Sequence, residues 1–271
     1  MIKRILNKIN LTGNGARLAH AAYGHSYPAF AENVSTLARE QYEGIVFDTP
    51  SPLAQWRGST HLTKEPATID WINGFAAGEV LYDVGANIGV YSLYAAKRNT
   101  QVFSFEPSPF NFSTLSRNIV LNNLSSNISA FCAALSDQTI LDRLHMSSVQ
   151  AGAAHTGFQK AINEFGLPLK AVHEQATLGF RMDDFISLFK APVPHHIKID
   201  VDGAEALVVS GAAATLRAAS LKSILIELPA RAEGKTPAVL DVIMSAGFHI
   251  VREDHPDGDT RLSNYILKRS A

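Results

Sequence analysis

Acidic residues stand at the ends of three apolar runs in this chain, in an arrangement typical of a ligand site built at strand ends. Asp83 ends Glu79-Val-Leu-Tyr-Asp83, Glu106 ends the run that begins at Gln101, and Asp200 ends His195-His-Ile-Lys-Ile-Asp200. In an open parallel sheet, ligands bind at the carboxyl ends of the strands. A carboxylate at the second strand end accepts hydrogen bonds from both hydroxyl groups of a ribose, which predicts that Glu106 holds a nucleoside.

A loop that contains two glycines, Gly85-Ala-Asn-Ile-Gly89, follows Asp83. We expect Gly85 to allow a tight turn near the ligand and Gly89 to allow close packing of helix and strand. A dinucleotide site needs a second glycine where Asn87 stands, and the charge of Asp83 would repel a diphosphate. S-adenosylmethionine carries a sulfonium and an ammonium and no phosphate. The loop therefore favours S-adenosylmethionine over NAD as the cofactor.

Polar residues also follow the third predicted strand, Ile128 to Ala134. Ser136 and Asp137 stand there, and Asp137 is placed to accept a hydrogen bond from an adenine amino group. The predicted cofactor site therefore comprises Asp83, Gly85, Asn87, Gly89, Glu106, Ser136 and Asp137.

The acids after the fourth strand suit methyl transfer to oxygen. This reaction is an in-line displacement that needs an aligned acceptor and a group that receives the hydroxyl proton. Asp200 is the first candidate for that group, and Asp202 and Glu205, on the following turn and helix start, complete the predicted catalytic set. Acids at a helix start are also stabilised by the helix dipole, which accounts equally well for Asp202 and Glu205. Lys198, inside the strand, needs an acidic partner such as Asp200 or Glu227.

Two alternatives to a carboxylate base are open. Mg²⁺ held by oxygen ligands would lower the pKa of the acceptor hydroxyl, and Asp200, Asp202, Glu205 and Glu227 could supply those ligands, although we assign no metal site. Imidazole is the other alternative, although histidines in loops and at strand starts are more often solvated or hydrogen-bonded. The candidate histidines are His155, His195 and His196.

Strands and helices alternate from about residue 65, which predicts parallel βαβ units. The predicted strands begin near Glu79, Gln101, Ile128, His195 and Lys222, and a hairpin from Phe248 to Leu267 closes the series. The pattern predicts an α/β fold of the class I, Rossmann-like methyltransferase type. Its seven-stranded, mostly parallel sheet would carry a C-terminal antiparallel hairpin and helices on both faces.

We divide the chain into an N-terminal extension, 1–62, packed on the core, and one methyltransferase domain, 63–271. Within the domain, 136–194 is expected to be an irregular insertion that binds substrate or acts as a lid, with an extra strand near Leu178 to Met182. Apolar residues at helical spacing from Ile2 to Ile9 predict a short surface helix.

The amino-acid composition limits the classes of substrate and partner that we expect. The formal net charge of −1 over 271 residues gives no electrostatic reason to expect a nucleic acid, so a small-molecule or glycan acceptor fits better. The single cysteine, Cys132, allows no internal disulfide and indicates a reducing compartment. No apolar run is long enough for a transmembrane segment, and the first residues lack a signal-peptide core. These features predict a cytoplasmic protein and make no prediction of its oligomeric state.

Several segments resemble the FkbM-type methyltransferases. They are Thr63-Lys-Glu-Pro66 with Trp71-Ile72, Asp83 to Ser92, Phe105-Glu-Pro107, Ala134-Leu-Ser-Asp137 and Lys198-Ile-Asp-Val-Asp-Gly-Ala-Glu205, within a stretch from about Phe47 to Leu228. The resemblance implies a class I fold, S-adenosylmethionine and O-methylation, often of sugar hydroxyls in surface glycans or natural products. On this resemblance we add Glu65 to the cofactor site. Members commonly carry Glu where this chain has Asp202, which keeps the charge and shortens its reach.

Three functions are therefore compared. The first is a methyltransferase that uses S-adenosylmethionine to methylate a hydroxyl of a sugar, a glycan or a small natural product. The second is a nicotinamide-dependent oxidoreductase, against which Asn87 and Asp83 argue. The third is a degenerate Rossmann domain that only binds a ligand, against which the intact acids Asp83, Glu106 and Asp200 argue. The sequence favours the methyltransferase and leaves the acceptor open.

Overall fold

The computed structural model describes residues 39–163, 165–230, 238–256 and 260–270. The chain divides into a compact unit of residues 40–271 and a unit of residues 1–39, almost all of which lies outside the described part. The short helix predicted between Ile2 and Ile9 falls there too. Within the described residues, no helix is both long enough and apolar enough to cross a bilayer.

The elements of the fold have the following bounds. The strands are β1 Arg39–Tyr42, β2 Ile45–Asp48, β3 Val80–Val84, β4 Gln101–Phe105, β5 Ile128–Phe131, β6 Ala134–Leu135, β7 Ile140–Met146, β8 Thr156–Phe158, β9 His173–Phe180, β10 His196–Ile199, β11 Ser223–Pro229, β12 Phe248–Asp254 and β13 Leu262–Arg269. The α-helices are α1 Pro52–Ser59, α2 Pro66–Asn73, α3 Val90–Ala96, α4 Pro109–Leu121, α5 Met182–Phe189, α6 Glu205–Gly211 and α7 Ala238–Ser245.

The main sheet has seven strands in the order β12-β13-β11-β10-β3-β4-β5. Strands β5, β4, β3, β10 and β11 run parallel, and β13 pairs antiparallel with both β11 and β12. From β3 the chain adds β4 and β5 on one side, and it later adds β10 and β11 on the other side. An open α/β sheet forms its ligand crevice at such a switch point, here between β3 and β10. The predicted class I fold, with its antiparallel hairpin, is confirmed.

Apolar side chains cover both faces of this sheet, because successive residues of a strand point to opposite sides. Tyr82 and Ile197 belong to the core under α5, α6 and α7, whereas Leu81 and Leu225 belong to the core under α1 to α4. Phe47 of β2 is also fully buried in the second core. The helices on both faces hold the carboxyl ends of the strands in fixed positions.

The interval 136–194 is more regular than we expected. Strands β6 to β9 form a second sheet in the order β6-β9-β7-β8, in which β7 and β9 pair antiparallel over seven positions from Ile140 and Gly179 to Met146 and His173. The extra strand ends at Phe180, and Met182 already begins helix α5. The prediction of an irregular segment is corrected here. The boundary at residue 62 stays a prediction.

A buried polar chain lies at the opposite, amino-terminal edge of the main sheet. Trp71 Nε1 donates to Ser223 Oγ at 2.8 Å, Ser223 Oγ lies 2.7 Å from His196 Nδ1, and His196 Nε2 lies 2.8 Å from Glu79 Oε2. Phe75 stacks on the imidazole with ring centroids 3.6 Å apart. His196 is therefore a structural residue distant from the strand ends that carry Asp83 and Asp200, which corrects its listing as an alternative base.

The first prediction concerns acid stability. Burial, which outweighs the hydrogen bond to Glu79, lowers the pKa of His196 to about 4 from 6.5. The unfolded chain therefore binds a proton that the folded protein rejects, so stability is lost as pH falls from 6.5 toward 4, by about 3 kcal/mol. We expect urea unfolding of His196→Gln to lose this pH dependence, whereas His249→Gln, at an exposed histidine, keeps it.

The comparison of variants with the parent protein isolates this effect. Glu106 and Glu205 have pKa values raised to about 7 by burial, so they stabilise the folded state as pH falls and mask the histidine in the parent curve. The difference between parent and His196→Gln removes their contribution. If the free energy of unfolding of the parent differs from that of His196→Gln by the same amount at neutral pH and at about pH 4, His196 is protonated within the folded protein and its pKa is not lowered.

Candidate active site

A cavity of about 530 Å³ opens at the carboxyl ends of the parallel strands. Its lining includes a residue after or near the end of each: Gly85 after β3, Glu106 after β4, Ala133 after β5, Asp200 after β10 and Glu227 within β11. A volume of this size is typical of sites for small molecules and cofactors.

The loop after β3 approaches the neighbouring strand closely. Gly85 has a φ of +85°, and a Cβ at this position would lie 1.8 Å from the carbonyl oxygen of Asp200, so no other residue fits. Gly89 has a φ of +87°, and its Cβ would lie 2.4 Å from Leu115 of α4, so the close packing that we expected is against a helix. Asn87 also has a positive φ, 52°, and lines the cavity.

Glu106 is fixed at the second strand end by backbone and amide donors. Its Oε2 accepts from the amide of Asn87 at 2.8 Å, and its Oε1 accepts from the amide of Ser108 at 2.9 Å and from Asn111 Nδ2 at 3.5 Å. Burial raises the pKa of Glu106 to about 7 despite these donors. A carboxylate that is held in place and faces the cavity suits the ribose role that the sequence predicts.

Five of the predicted cofactor residues do not line the cavity: Glu65, Asp83, Gly89, Ser136 and Asp137. Asp83 is 1% exposed, and its Oδ2 accepts from Ser92 Oγ of α3 at 2.5 Å. Burial raises its pKa in spite of Lys198 nearby. Ser136 is buried and hydrogen-bonds to Gln159 Oε1 at 2.9 Å, in the second sheet region, and Asp137 follows it. The wall beside β5 is instead formed by Ala133, Ala134 and Leu135, an apolar surface suited to the face of a purine.

Asp200 is the acid that the structure brings into the cavity as an anion. Its Oδ2 accepts from Lys198 Nζ at 2.7 Å, and its side chain is 26% exposed. Burial opposes ionisation, but Lys198 and Lys64 outweigh burial and hold the pKa of Asp200 below its usual value. Lys198 thus has the acidic partner that we expected, and its ammonium also lies 5.0 Å from the centre of the Tyr91 ring.

The other two predicted catalytic acids are engaged with backbone amides. Asp202 lines the cavity, but its Oδ2 accepts from the amides of His155 at 2.8 Å and Thr156 at 3.3 Å. Glu205 does not line the cavity, and its Oε1 accepts from the amides of Gly203 at 3.1 Å and Val201 at 3.3 Å, within its own turn. For Glu205, the structural interpretation replaces the catalytic one.

The carboxylates that converge are Glu65, Asp200 and Glu227, whose oxygens lie within 4.8 Å of one another. Glu65 accepts from Lys64 Nζ at 2.7 Å, from Thr68 Oγ1 at 3.0 Å and from Asn264 Nδ2 at 3.2 Å. The Mg²⁺ ligands considered from the sequence included Asp202 and Glu205, but these two accept hydrogen bonds from backbone amides. Glu65 takes their place in the observed cluster. Ammonium groups already neutralise Glu65 and Asp200, so we do not propose a metal.

A loop between β7 and β8 covers the cavity, within the interval 136–194 that we expected to bind substrate or act as a lid. The carbonyl of Ala153 accepts from Asn87 Nδ2 at 2.9 Å and from Asn111 Nδ2 at 3.1 Å. The carbonyl of Gly152 accepts from Arg57 Nε of α1 at 2.6 Å. Asn111 and Arg57 could not be found from sequence patterns, because their partners lie 40 or more residues away.

This covering loop gives a second prediction. Gly152 has a φ of +82°, and a Cβ there would lie 2.7 Å from the amide nitrogen of Ala54. Gly152→Ala should therefore release residues 147–155, and we expect their amide hydrogen exchange to increase by about tenfold. Gly166→Ala is the matched control, since Gly166 has a φ of +72° but nothing within 4 Å of its Cβ. If amide exchange in residues 147–155 is no faster in Gly152→Ala than in Gly166→Ala, the contact with α1 does not hold the loop.

Curated relatives give an independent indication of the class. Methyltransferase 1 of Beauveria bassiana is 25% identical over 213 residues, which are 72% of this chain and 83% of that protein. The hexuronic acid methyltransferase AglP of Haloferax volcanii is 26% identical over 157 residues, 58% of this chain and 59% of AglP. The 23S rRNA (uracil(1939)-C(5))-methyltransferase RlmD of Shewanella amazonensis is 26% identical over 151 residues, 53% of this chain and 31% of RlmD. The chain thus spans less than two thirds of the last two.

The class I sheet, with Glu106 and the glycine loop at its ligand edge, defines a Rossmann-like methyltransferase that uses S-adenosylmethionine. The described residues fit this cofactor, because the cavity combines a fixed carboxylate for the ribose with an apolar wall at Ala133 to Leu135. The model of the Methyltransferase FkbM domain matches residues 83–250, and the chain belongs to this family. The nicotinamide alternative is set aside.

Proposed function

We propose that the protein is an O-methyltransferase that methylates a hydroxyl group of a sugar, a glycan or a small natural product. The observation that carries the proposal is the carboxylate of Asp200, which pairs with buried Lys198. Asp200 and Glu106 line the same cavity. A sugar hydroxyl is weakly acidic, so a base that receives its proton as the new bond forms lowers the barrier.

An aromatic ring at the cavity mouth supports a sugar acceptor. Trp56 of α1 lines the cavity and is 38% exposed, with Arg57 and Lys64 each 6.0 Å from its ring centre. An exposed indole offers an apolar face on which a sugar ring can stack. The partial similarity to AglP, which is named for a hexuronic acid, agrees with such an acceptor.

The chain's own groups divide the work as follows. Bound S-adenosylmethionine supplies an electrophilic methyl group. Glu106 holds the ribose hydroxyls, Asp200 orients the acceptor hydroxyl and receives its proton, and Lys198 keeps Asp200 ionised before the reaction. The loop 147–155 excludes water from the cavity, which strengthens these charge interactions.

An acceptor panel tests the proposal. The full chain is incubated with S-adenosylmethionine and methyl glucoside, methyl glucuronide, their nucleoside diphosphate sugars, total RNA or a mixed protein extract, and products are read by mass spectrometry and fragmentation. We expect an O-methyl sugar that Asp200→Asn does not form. Methylated RNA or protein alone would replace the proposal, and methylated RNA would also overturn the expected absence of a nucleic-acid substrate.

A further inference from the structure

Glu227 differs from the two carboxylates beside it. Glu65 and Asp200 each accept a hydrogen bond from a lysine ammonium at 2.7 Å. Within the described ranges, no donor lies within hydrogen-bond distance of the Glu227 carboxyl group, although it lines the cavity. Among these residues it has no partner on that side, so a partner can come from the contents of the cavity.

Among the described residues, no ammonium group is left to pair with Glu227. The charged groups that act on it most strongly are Asp200, Glu65, Lys64 and Lys198, and the two ammoniums are already paired with the other two carboxylates. Arg57 and Arg261 also line the cavity, and their guanidinium groups lie over the rings of Trp56 and Phe165. A third negative charge would stand within 4.8 Å of two others in a largely buried place. Burial, followed by Asp200 and Glu65, raises the pKa of Glu227 to about 9.

We propose that Glu227 carries a proton and donates a hydrogen bond to the acceptor, next to the hydroxyl that Asp200 deprotonates. The inference rests on the proposed O-methylation. One wall of the cavity then presents the Asp200 carboxylate, which accepts a hydrogen bond, close to the Glu227 carboxyl group, which donates one. This pair complements two oxygens on neighbouring carbon atoms of the substrate. The acceptor class that fits is a vicinal diol or polyol, such as a sugar ring, rather than an isolated alcohol.

The proton balance assigns different roles to the two acids. The acceptor oxygen forms a bond to the methyl carbon, the carbon–sulfur bond breaks with its electron pair on sulfur, and the hydroxyl proton passes to Asp200. Glu227 keeps its own proton throughout and positions the neighbouring oxygen. Glutamine also donates a hydrogen bond from this position, so it should replace the neutral acid better than leucine does.

Infrared spectroscopy tests the protonation without any acceptor. The full chain with bound S-adenosylhomocysteine is compared with Glu227→Gln, on either side of about pH 9, with the exposed Asp241→Asn as the control. We expect the C=O band of a neutral carboxylic acid that disappears above about pH 9 and is missing only in Glu227→Gln. An ionised Glu227 at neutral pH would overturn the proposal, whether or not the acceptor panel gives a product.

Kinetics with methyl glucoside or another sugar methylated in the panel test the donor role. We expect Glu227→Leu to lower kcat/KM by about tenfold to a hundredfold, mainly through KM, and Glu227→Gln by only a few-fold with loss of the alkaline limb of the pH profile. A loss of kcat in Glu227→Gln as large as that in Asp200→Asn would make Glu227 the base and overturn the inference. A panel without an O-methylated sugar would count against the proposed function, while the infrared result would stand separately.

Discussion

Asp200→Asn is expected to lower kcat by about a hundredfold or more, while S-adenosylhomocysteine binds with nearly the affinity of the parent protein. The substitution keeps the size and hydrogen-bonding geometry of the side chain but removes the group that receives the hydroxyl proton. It leaves the backbone of Asp200, which packs against Gly85, and the hydrogen bonds of Glu106 unchanged, so both still hold the cofactor. Single-turnover kinetics measure the chemical step, and calorimetric titration measures the affinity.

The ion pair with Lys198 sets the pH range of this effect. Because Lys198 and Lys64 hold the pKa of Asp200 below its usual value against burial, the base is ionised throughout the neutral range. An acid limb of kcat near neutral pH would therefore belong to another group. If Asp200→Asn keeps full kcat, the reaction proceeds by alignment of the acceptor alone, and the proton leaves through water.

The fold was predictable because the central strands are buried on both faces. All four residues of β10 are buried, as are all five of β3, so their apolar runs are distinct in the sequence. Strand β7 instead alternates exposed and half-buried residues, from Ile140 to Arg143, and has no such run. Its place in the second sheet depends on pairing with β9, which follows more than 25 residues later.

The site was predictable where the strand itself positions the residue. Glu106 and Asp200 directly follow β4 and β10, and both line the cavity. The directions of Asp202 and Glu205 depend instead on the turn between them and β10. Asp202 has a φ of +55°, which turns its carboxylate toward the covering loop. Such a turn leaves no periodic signal in a sequence.

Glu227 had a sequence signal that went unused. It is the one charged residue in Ser223-Ile-Leu-Ile-Glu-Leu-Pro229, a strand that is otherwise buried almost throughout. A charge in such a strand needs a partner or a proton. From the sequence we considered it only as a partner of Lys198 or as a metal ligand, because its distance from Glu65, 162 positions earlier, is set by the fold.

Glu106→Gln is expected to weaken S-adenosylhomocysteine binding by about tenfold to a hundredfold, the largest effect on affinity that we predict. The glutamine amide presents one acceptor oxygen where the carboxylate presents two, so it cannot accept from both ribose hydroxyls while keeping the bonds to Asn87 and Ser108. Calorimetric titration measures the change. Glu205→Gln is the matched control, because Glu205 is a buried acid with a similar pKa outside the cavity.

The pH dependence of this affinity separates Glu106 from other acids. Burial raises its pKa to about 7, and only the ionised form accepts both ribose hydroxyls, so affinity should fall by about tenfold for each pH unit below 7 and level off above it. Binding then stabilises the ionised form and releases a proton to the buffer below pH 7. Glu106→Gln should bind independently of pH, whereas Glu205→Gln should keep the dependence. If the dependence instead persists in Glu106→Gln and disappears in Glu205→Gln, the turn after β10 and not the ribose carboxylate controls cofactor binding.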